Sequence, residues 1–413
     1  MRPAARRGNI AAGFPPSRTL PRCQVQVAGN IHKIVRDRED AMFSTRRTLL
    51  GGFAALPILG GLPGPARARS VGDAAATALD SVFTAAAPPA LAAGIVTRNG
   101  LVWSGVRGVR RAGGEDLATL NDRWHLGSNT KAMTAAVFGR LVEQGRARWA
   151  MPVAAAFPGL TIDPAWNGIT LDDLMRHRGG LLDGPVVNRA WLMAAHADTR
   201  PLPVQRAALA RGVFSAPPAG PVGAFAYSNA NYIVVGAAIE ALTGDAWETV
   251  TQRELFTPLG LTSAGFGAPK GEAPWGHQGG VAVDPAGIAD NPAALGPAGT
   301  VHMTLADYAG FIGAMMGGAP DWLSEDTRRH LLTPAVGDPP AYAAGWGIGT
   351  APWAGVGEPG PTITHNGSNT LWFATVLAAP ERGLGVITLS NDGVAGQRAC
   401  SSLIPHLVIA ATA

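Results

Sequence analysis

The strand-like segments of this chain sit at its two ends, and that placement restricts the folds open to it. Near the front, "LAAGIVTRNGLVWSGVRGVRR" (91–111) holds two apolar, β-branched runs around Asn99-Gly100. That dipeptide suits a type I′ turn, whose two central positions both need positive φ, so a β-hairpin is expected here. Near the end, "TLWFATVLAAP" and "LGVITLSND" flank Glu381-Arg382-Gly383 and read as a second antiparallel hairpin. Between them, from Ser128 to about Ala319, the pattern turns helical, with loops rich in Gly and Pro. Terminal helices are expected at 73–86, before Pro88-Pro89, and in "QRACSSLIPHLVIAATA", where Pro405 argues against an unbroken helix. The expected architecture is therefore α+β: an antiparallel sheet that pairs distant strands, flanked by terminal helices, with an inserted all-helical lobe at about 128–319. No internal repeat of 20–50 residues interrupts this pattern.

The charge is uneven. Of 33 Lys/Arg and 29 Asp/Glu, 11 and 3 fall in residues 1–68, which leaves 69–413 mildly acidic with 22 and 26. No basic stripe marks a nucleic-acid surface, and none is expected as a partner. Residues 42–68, "MFSTRRTLLGGFAALPILGGLPGPARA", place a paired Arg46-Arg47 before a short apolar run and a small-residue end at Ala66-Arg67-Ala68. That is the layout of an export signal of the twin-arginine type, although a short buried helix would share its composition. Residues 1–41 then read as an untranslated or disordered leader before a start at Met42, and the mature domain as 69–412. The protein is expected to be exported, periplasmic or secreted. Cys23 lies in the leader and Cys400 is the other cysteine, so the mature chain could form no internal disulfide. No later apolar run is long enough to span a bilayer.

Three short strings carry candidate chemistry. In "LGSNTKAMTAAVFGRLVEQG" (126–145), Ser128 stands one helical turn before Lys131. A Ser at a helix start is most often an N-cap. It could also be a nucleophile whose proton a neutral Lys131 takes, because residues three apart share a face. The helix N-terminus would then favour developing negative charge. Ala132, Ala136, Leu141 and Val142 should form the apolar side, and Gly145 should end the helix. In "FAYSNANY", Tyr227 could relay a proton and the Asn229 amide could hold Lys131 and a substrate carbonyl; a buried Tyr and an Asn N-cap are the plainer readings. In "TITHNGSNTLW", Gly367 would let a substrate backbone approach, and the Ser368 N–H would face a developing oxyanion. A turn with a surface His365 is the alternative there.

In this order, Ser-x-x-Lys, Tyr-x-Asn and His-x-Gly resemble the serine β-lactamase and penicillin-binding-protein superfamily. The nearest likeness is to class C β-lactamases and their relatives: D-alanyl-D-alanine carboxypeptidases, D-aminopeptidases and β-lactamase-like esterases. "ITLDDLMRHRGGL" is similar to that family's "ITIRHLLTHTSGL", and "PAGTVHMTLADYAGF" to its "PAGGLYSTAADLARF"; the likeness covers about 73–412. It implies a β-lactamase/transpeptidase-like fold and an acyl-enzyme. Ser128 would be the nucleophile, Lys131 and Tyr227 the general bases, and Asn229, His365 and Gly367 would shape the site. The N–H groups of Ser128 and Ser368 would form the oxyanion hole. Two departures stand out. His365 replaces the Lys of β-lactamases proper, and Arg178 replaces a small residue. Without that fixed cation, peptidase or esterase chemistry is expected over β-lactam hydrolysis, with carboxylate substrates held better as His365 charges at lower pH. A non-catalytic binder of cell-wall peptides is the other reading. No cofactor is expected. No metal is expected either, since the nine His show no ligand spacing and no H-E-x-x-H occurs. G-x-S-x-G and Walker A strings are absent, and "GVGEPG" (355–360) reads as a loop because Pro359 precedes no helix.

Overall fold

A computed structural model describes residues 70–337 and 339–413. The expected export signal at 42–68, the expected leader at 1–41 and Cys23 lie outside the described residues. In chain order the elements used below are α1 (Val71–Ala86), β1 (Ala90–Thr97), β2 (Gly100–Gly108), β3 (Arg123–His125), α2 (Thr130–Glu143), α3 (Leu202–Phe214), α4 (Asn229–Thr243), β4 (Gly265–Phe266), β5 (Gly276–Gln278), β6 (Val281–Val283), β7 (Val301–Thr304), α5 (Leu305–Gly313), α6 (Glu325–Leu332), β8 (Gly347–Ala351), β9 (Gly360–Ser368), β10 (Phe373–Ala379), β11 (Leu384–Ser390) and α7 (Ala395–Thr412).

The main sheet runs β2-β1-β11-β10-β9-β8 and is antiparallel throughout. The two ends of the chain meet at its centre, where Leu91 pairs with Ser390 and Thr97 with Leu384. Alternation sorts the side chains between two cores. Leu91, Ala93 and Ile95 pack with Leu79, Leu403 and Leu407 beneath α1 and α7. Ala92 and Val96 join Leu305, Ile312 and Phe138 on the opposite face. Both faces are covered, so β1 is apolar along its length rather than alternating.

The first hairpin forms, but its turn is not type I′. Gly100 has φ +109°, while neither Arg98 nor Asn99 has positive φ. Arg98 holds the turn instead: its Nε donates to Met316 O at 2.9 Å and its Nη2 to Pro380 O at 2.8 Å. The helical lobe runs on past residue 319 through α6 and also carries short strands, with β3-β7-β4 and β5-β6 forming two small sheets. The closing helix α7 is continuous across Pro405, which sits in its buried face. Cys400, also on α7, is buried, and burial pushes its thiol up to about 12. Among the described residues no helix is long and apolar enough to cross a membrane.

α2 lies between sheet and lobe and is buried around nearly its whole circumference, from Thr130 to Gly139 and again at Leu141. The expected apolar side is therefore only part of a fully enclosed surface, and Val142 is half-buried. Enclosure matters because it places Lys131, at 0% exposure, in a low-dielectric interior.

Candidate active site

A single tight turn, Gly127–Asn129, leads into α2. Gly127 has φ +52°, and its N–H donates to His125 Nδ1 at 3.1 Å. This disposes of Ser128 as an N-cap: it lies inside that turn, ahead of Asn129, and its Oγ lies 3.0 Å from Lys131 Nζ. The same amine donates to Asn229 Oδ1 at 2.8 Å and to the Ala298 carbonyl at 2.8 Å. Burial pulls the Lys131 pKa down to about 7, and the carboxylate of Asp183 acts in the opposite direction.

Asn229 is the first residue of α4, and the N-terminus of that helix is satisfied by Asp183 rather than by Asn229 itself. Tyr227 lies on the loop just before, with its ring centroid 4.9 Å from Lys131 Nζ. His177, in the left-handed region at φ +58°, packs its ring tilted against that of Tyr227, with centroids 4.4 Å apart, and lies 5.5 Å from the Tyr232 ring and 5.0 Å from the Tyr342 ring. Its Nδ1 faces two donors, the Asn231 Nδ2 at 2.9 Å and the Ser228 N–H at 3.3 Å, and burial holds its pKa well below the ordinary range. Three of the four tyrosines of the chain thus surround one histidine beside the amine.

His365 is neither a surface residue nor an open cation site. It lies within β9 at 3% exposure. Its Nδ1 faces the Asn366 carbonyl at 2.8 Å, an obligate acceptor, so Nδ1 carries the proton. Nε2 then accepts from the Tyr342 hydroxyl at 2.9 Å. Burial, with Lys131 nearby, lowers its pKa to about 3. The expectation that His365 gains charge as pH falls toward 6 is therefore corrected: the imidazole stays neutral.

Gly367 also has a structural need of its own. A Cβ there would run into the Leu126 carbonyl, so its bareness lets β9 pack on the Gly127–Asn129 turn. Gly127 has the matching need, because a side chain on it would strike the Ser368 backbone nitrogen. These two glycines bring the Ser368 backbone nitrogen against Gly127, the residue before Ser128. β8 pairs with β9 only from Gly360 to Thr364, so β9 has no β8 partner alongside His365–Ser368. Arg178 is buried at 4% exposure and donates from Nη1 to Gly223 O at 2.8 Å, tying down the 220–224 loop. Sequence reasoning missed Asp183, His177 and Tyr342. The scarcity of tyrosine was a usable signal for the last. Among the described residues no cluster of His, Cys, Asp and Glu could hold a metal ion.

The Beta-lactamase family profile matches residues 79–404, most of the chain. The chain belongs to the beta-lactamase family. It shares 28% identity over 310 residues with Penicillin-binding protein 4 of Amycolatopsis lactamdurans, covering 70% of this chain and 77% of that protein. It shares 26% identity over 314 residues with the unguisins hydrolase ungD' of Aspergillus campestris, covering 69% of this chain but only 55% of that protein. The fold is similar to the octameric penicillin-binding protein homologue from Pyrococcus abyssi, with TM-score 0.65, 21% identity, and 79% and 75% of the two chains covered. It is also similar to a D-stereospecific amidohydrolase from Streptomyces sp., with TM-score 0.61, 21% identity, and 79% and 97% covered. This family consists of hydrolytic serine enzymes, and the Ser128–Lys131 pair stands where the α+β fold joins sheet to lobe.

Proposed function

We propose that an amide or ester substrate acylates Ser128, with neutral Lys131 as the base. One observation carries this reading. Lys131 Nζ has three neighbours, and two of them, Asn229 Oδ1 and the Ala298 carbonyl, can only accept hydrogen bonds. A neutral amine has two N–H groups and one lone pair. Both N–H groups are claimed by those acceptors, so the lone pair faces Ser128 Oγ. The Ser128 hydroxyl then donates to Lys131. Attack forms an Oγ–C bond as the proton moves to Nζ, and the Ser128 and Ser368 N–H groups receive the oxyanion. The leaving amine or alcohol departs with a proton delivered from the Lys131–Tyr227 side. Water hydrolyses the resulting ester and regenerates Ser128.

For substrate, we favour D-alanyl-D-alanine carboxypeptidase-like peptidase or esterase chemistry over β-lactam hydrolysis. A neutral His365, held by Tyr342, offers no fixed charge to a β-lactam carboxylate. The likeness to a D-stereospecific amidohydrolase supports amide substrates. The test is a hydrolysis panel of D-Ala-D-Ala peptides, short-chain esters and cephalosporins, with intact-mass detection of a β-lactam or phosphonate adduct on Ser128. Cephalosporin turnover far above that of peptides and esters would favour a true β-lactamase. A Ser128 that no probe labels would favour a binding protein. We also propose export through the twin-arginine route, with cleavage after Ala68. N-terminal sequencing from the native host tests this, and a retained 1–68 segment would refute it.

A further inference from the structure

The 182–187 turn brings one carboxylate to the foot of α4. Asp183 Oδ1 accepts from Ser228 Oγ at 2.7 Å and from the Ala230 N–H at 2.9 Å, while Oδ2 accepts from Asn229 Nδ2 at 3.0 Å. An asparagine amide has one donating end and one accepting end. An ionised carboxylate can only accept, so it dictates which end of Asn229 faces it. Nδ2 is claimed by Asp183, and Oδ1 therefore points the other way, onto Lys131 Nζ. Were the amide inverted, Nδ2 would confront the amine, and a neutral Lys131 would turn its lone pair to that donor instead of to Ser128.

We propose that Asp183 is a positioning residue that locks the Asn229 amide and, through it, aims the Lys131 lone pair at Ser128. This rests on the reading in which Lys131 is the base. The site already described uses Ser128, Lys131, Asn229 and the backbone N–H groups; Asp183 touches none of the reacting atoms. It opens the single helical turn Asp183–Val186, just after the HRGGL string. The geometry makes the wall of the site and the orientation of its base a single unit: a shift of that turn releases the amide.

The same arrangement has an electrostatic side. The titratable groups around Lys131 are Tyr227 and Tyr232, whose rings face Nζ, the two imidazoles of His177 and His365, and Asp183. Both imidazoles are held neutral by burial. Among the described residues Asp183 is the carboxylate that favours a charged Lys131, against the burial that disfavours it. Removing its charge lets burial lower the Lys131 pKa further.

The test is Asp183→Asn, assayed with a neutral p-nitrophenyl ester across pH 5 to 9, with folding checked by circular dichroism. The expected result is a loss of roughly 10- to 100-fold in kcat/KM, a portion of what a positioned general base contributes. The acid limb should move to lower pH, and KM should change little. Asp183→Glu keeps the charge but displaces it by one methylene. It should lose kcat while largely keeping the limb, and it decides the matter should Asp183→Asn fold poorly. In an Asn229→Ala background, Asp183→Asn should cost little more in kcat, because both substitutions break the same link. Wild-type kcat/KM within threefold and an unmoved limb in Asp183→Asn would overturn the proposal, as would fully additive losses in the double variant. Failure of the underlying reading looks different: Ser128→Ala would then still turn over, or Lys131→Arg would acylate at normal speed.

Discussion

Ser128 Oγ and Lys131 Nζ lie 3.0 Å apart across one turn at the head of a buried helix, and burial of the amine disfavours its charged form. With its pKa near 7, the active neutral form grows as pH rises through neutrality. We expect kcat/KM for a neutral ester to climb between pH 6 and 8 and level off above, with a midpoint near 7. Lys131→Arg stays protonated and should lose about 10³-fold or more, and Ser128→Ala should abolish both turnover and labelling by an acylating probe. An Arg variant acylating at normal speed would rule out Lys131 as the base.

His365 leads to a prediction opposite to the one its replacement of Lys first implied. Its pKa of about 3 lies far below the working range, so it adds no charge between pH 6 and 8. The ratio of kcat/KM for nitrocefin to that for the ester should be flat over this interval, since the Lys131 limb affects both alike. Tyr342→Phe would leave Nε2 a buried acceptor without a donor. That should destabilise the fold by about 1–3 kcal/mol, read as a lowered Tm. An unchanged Tm would mean that water replaces the hydroxyl.

The outer frame was legible because its signals are local or periodic. The apolar runs of 91–111 and 370–392 announced strands, and their position at both ends demanded long-range pairing, which β1 and β11 supply. The Ser128–Lys131 spacing was enough to bring the two side chains together. What stayed hidden depends on distant partners. The turn at Arg98 is set by carbonyls 218 and 282 residues away, so Asn99-Gly100 alone suggested the wrong turn type. Tyr342 meets His365 through a bond that no motif encodes. Asp183 belongs to no motif, and its role depends on reaching the Ala230 N–H at the start of α4. α2 shows no clean period because it is buried on nearly every side from Thr130 to Gly139.

Glycine offers a contrast of sign. Gly367→Ala would drive a methyl into the Leu126 carbonyl and push β9 off the Gly127–Asn129 turn. Overpacking of this kind costs about 1–3 kcal/mol, and a shift of the Ser368 N–H by an ångström should lower kcat by roughly 10². Gly212, in α3, has open space around its missing Cβ and helical backbone. Gly212→Ala should therefore stabilise the protein by about 0.5–1 kcal/mol and leave kcat unchanged. Urea midpoints and ester kinetics on both variants provide the check, and equal effects would contradict this account of the packing.

The last prediction concerns the cation that holds the lobe together. Arg206 on α3 is fully buried; its Nη1 donates to Glu240 Oε1 at 2.5 Å on α4 and to Glu248 Oε2 at 3.1 Å, and its Nε donates to Ala294 O at 3.1 Å. Ala294 lies shortly before Ala298, whose carbonyl receives Lys131, so the same guanidinium steadies one wall of the site. Arg206→Ala would leave Glu240 buried without its partner, which typically costs about 3–5 kcal/mol. The cost should depend on pH, and the sign follows from Glu240. Burial already raises its pKa, and Arg206 works against that rise. Without Arg206 the folded-state pKa climbs further above the unfolded value. Stability is then retained while the carboxyl stays protonated and is lost as pH rises through that higher pKa. The destabilisation of Arg206→Ala should be visibly smaller at pH 5 than at pH 8, measured as the shift in urea midpoint from wild type at each pH. A pH-independent shift would mean that Glu240 reaches solvent in the variant and that its burial does not depend on the ion pair.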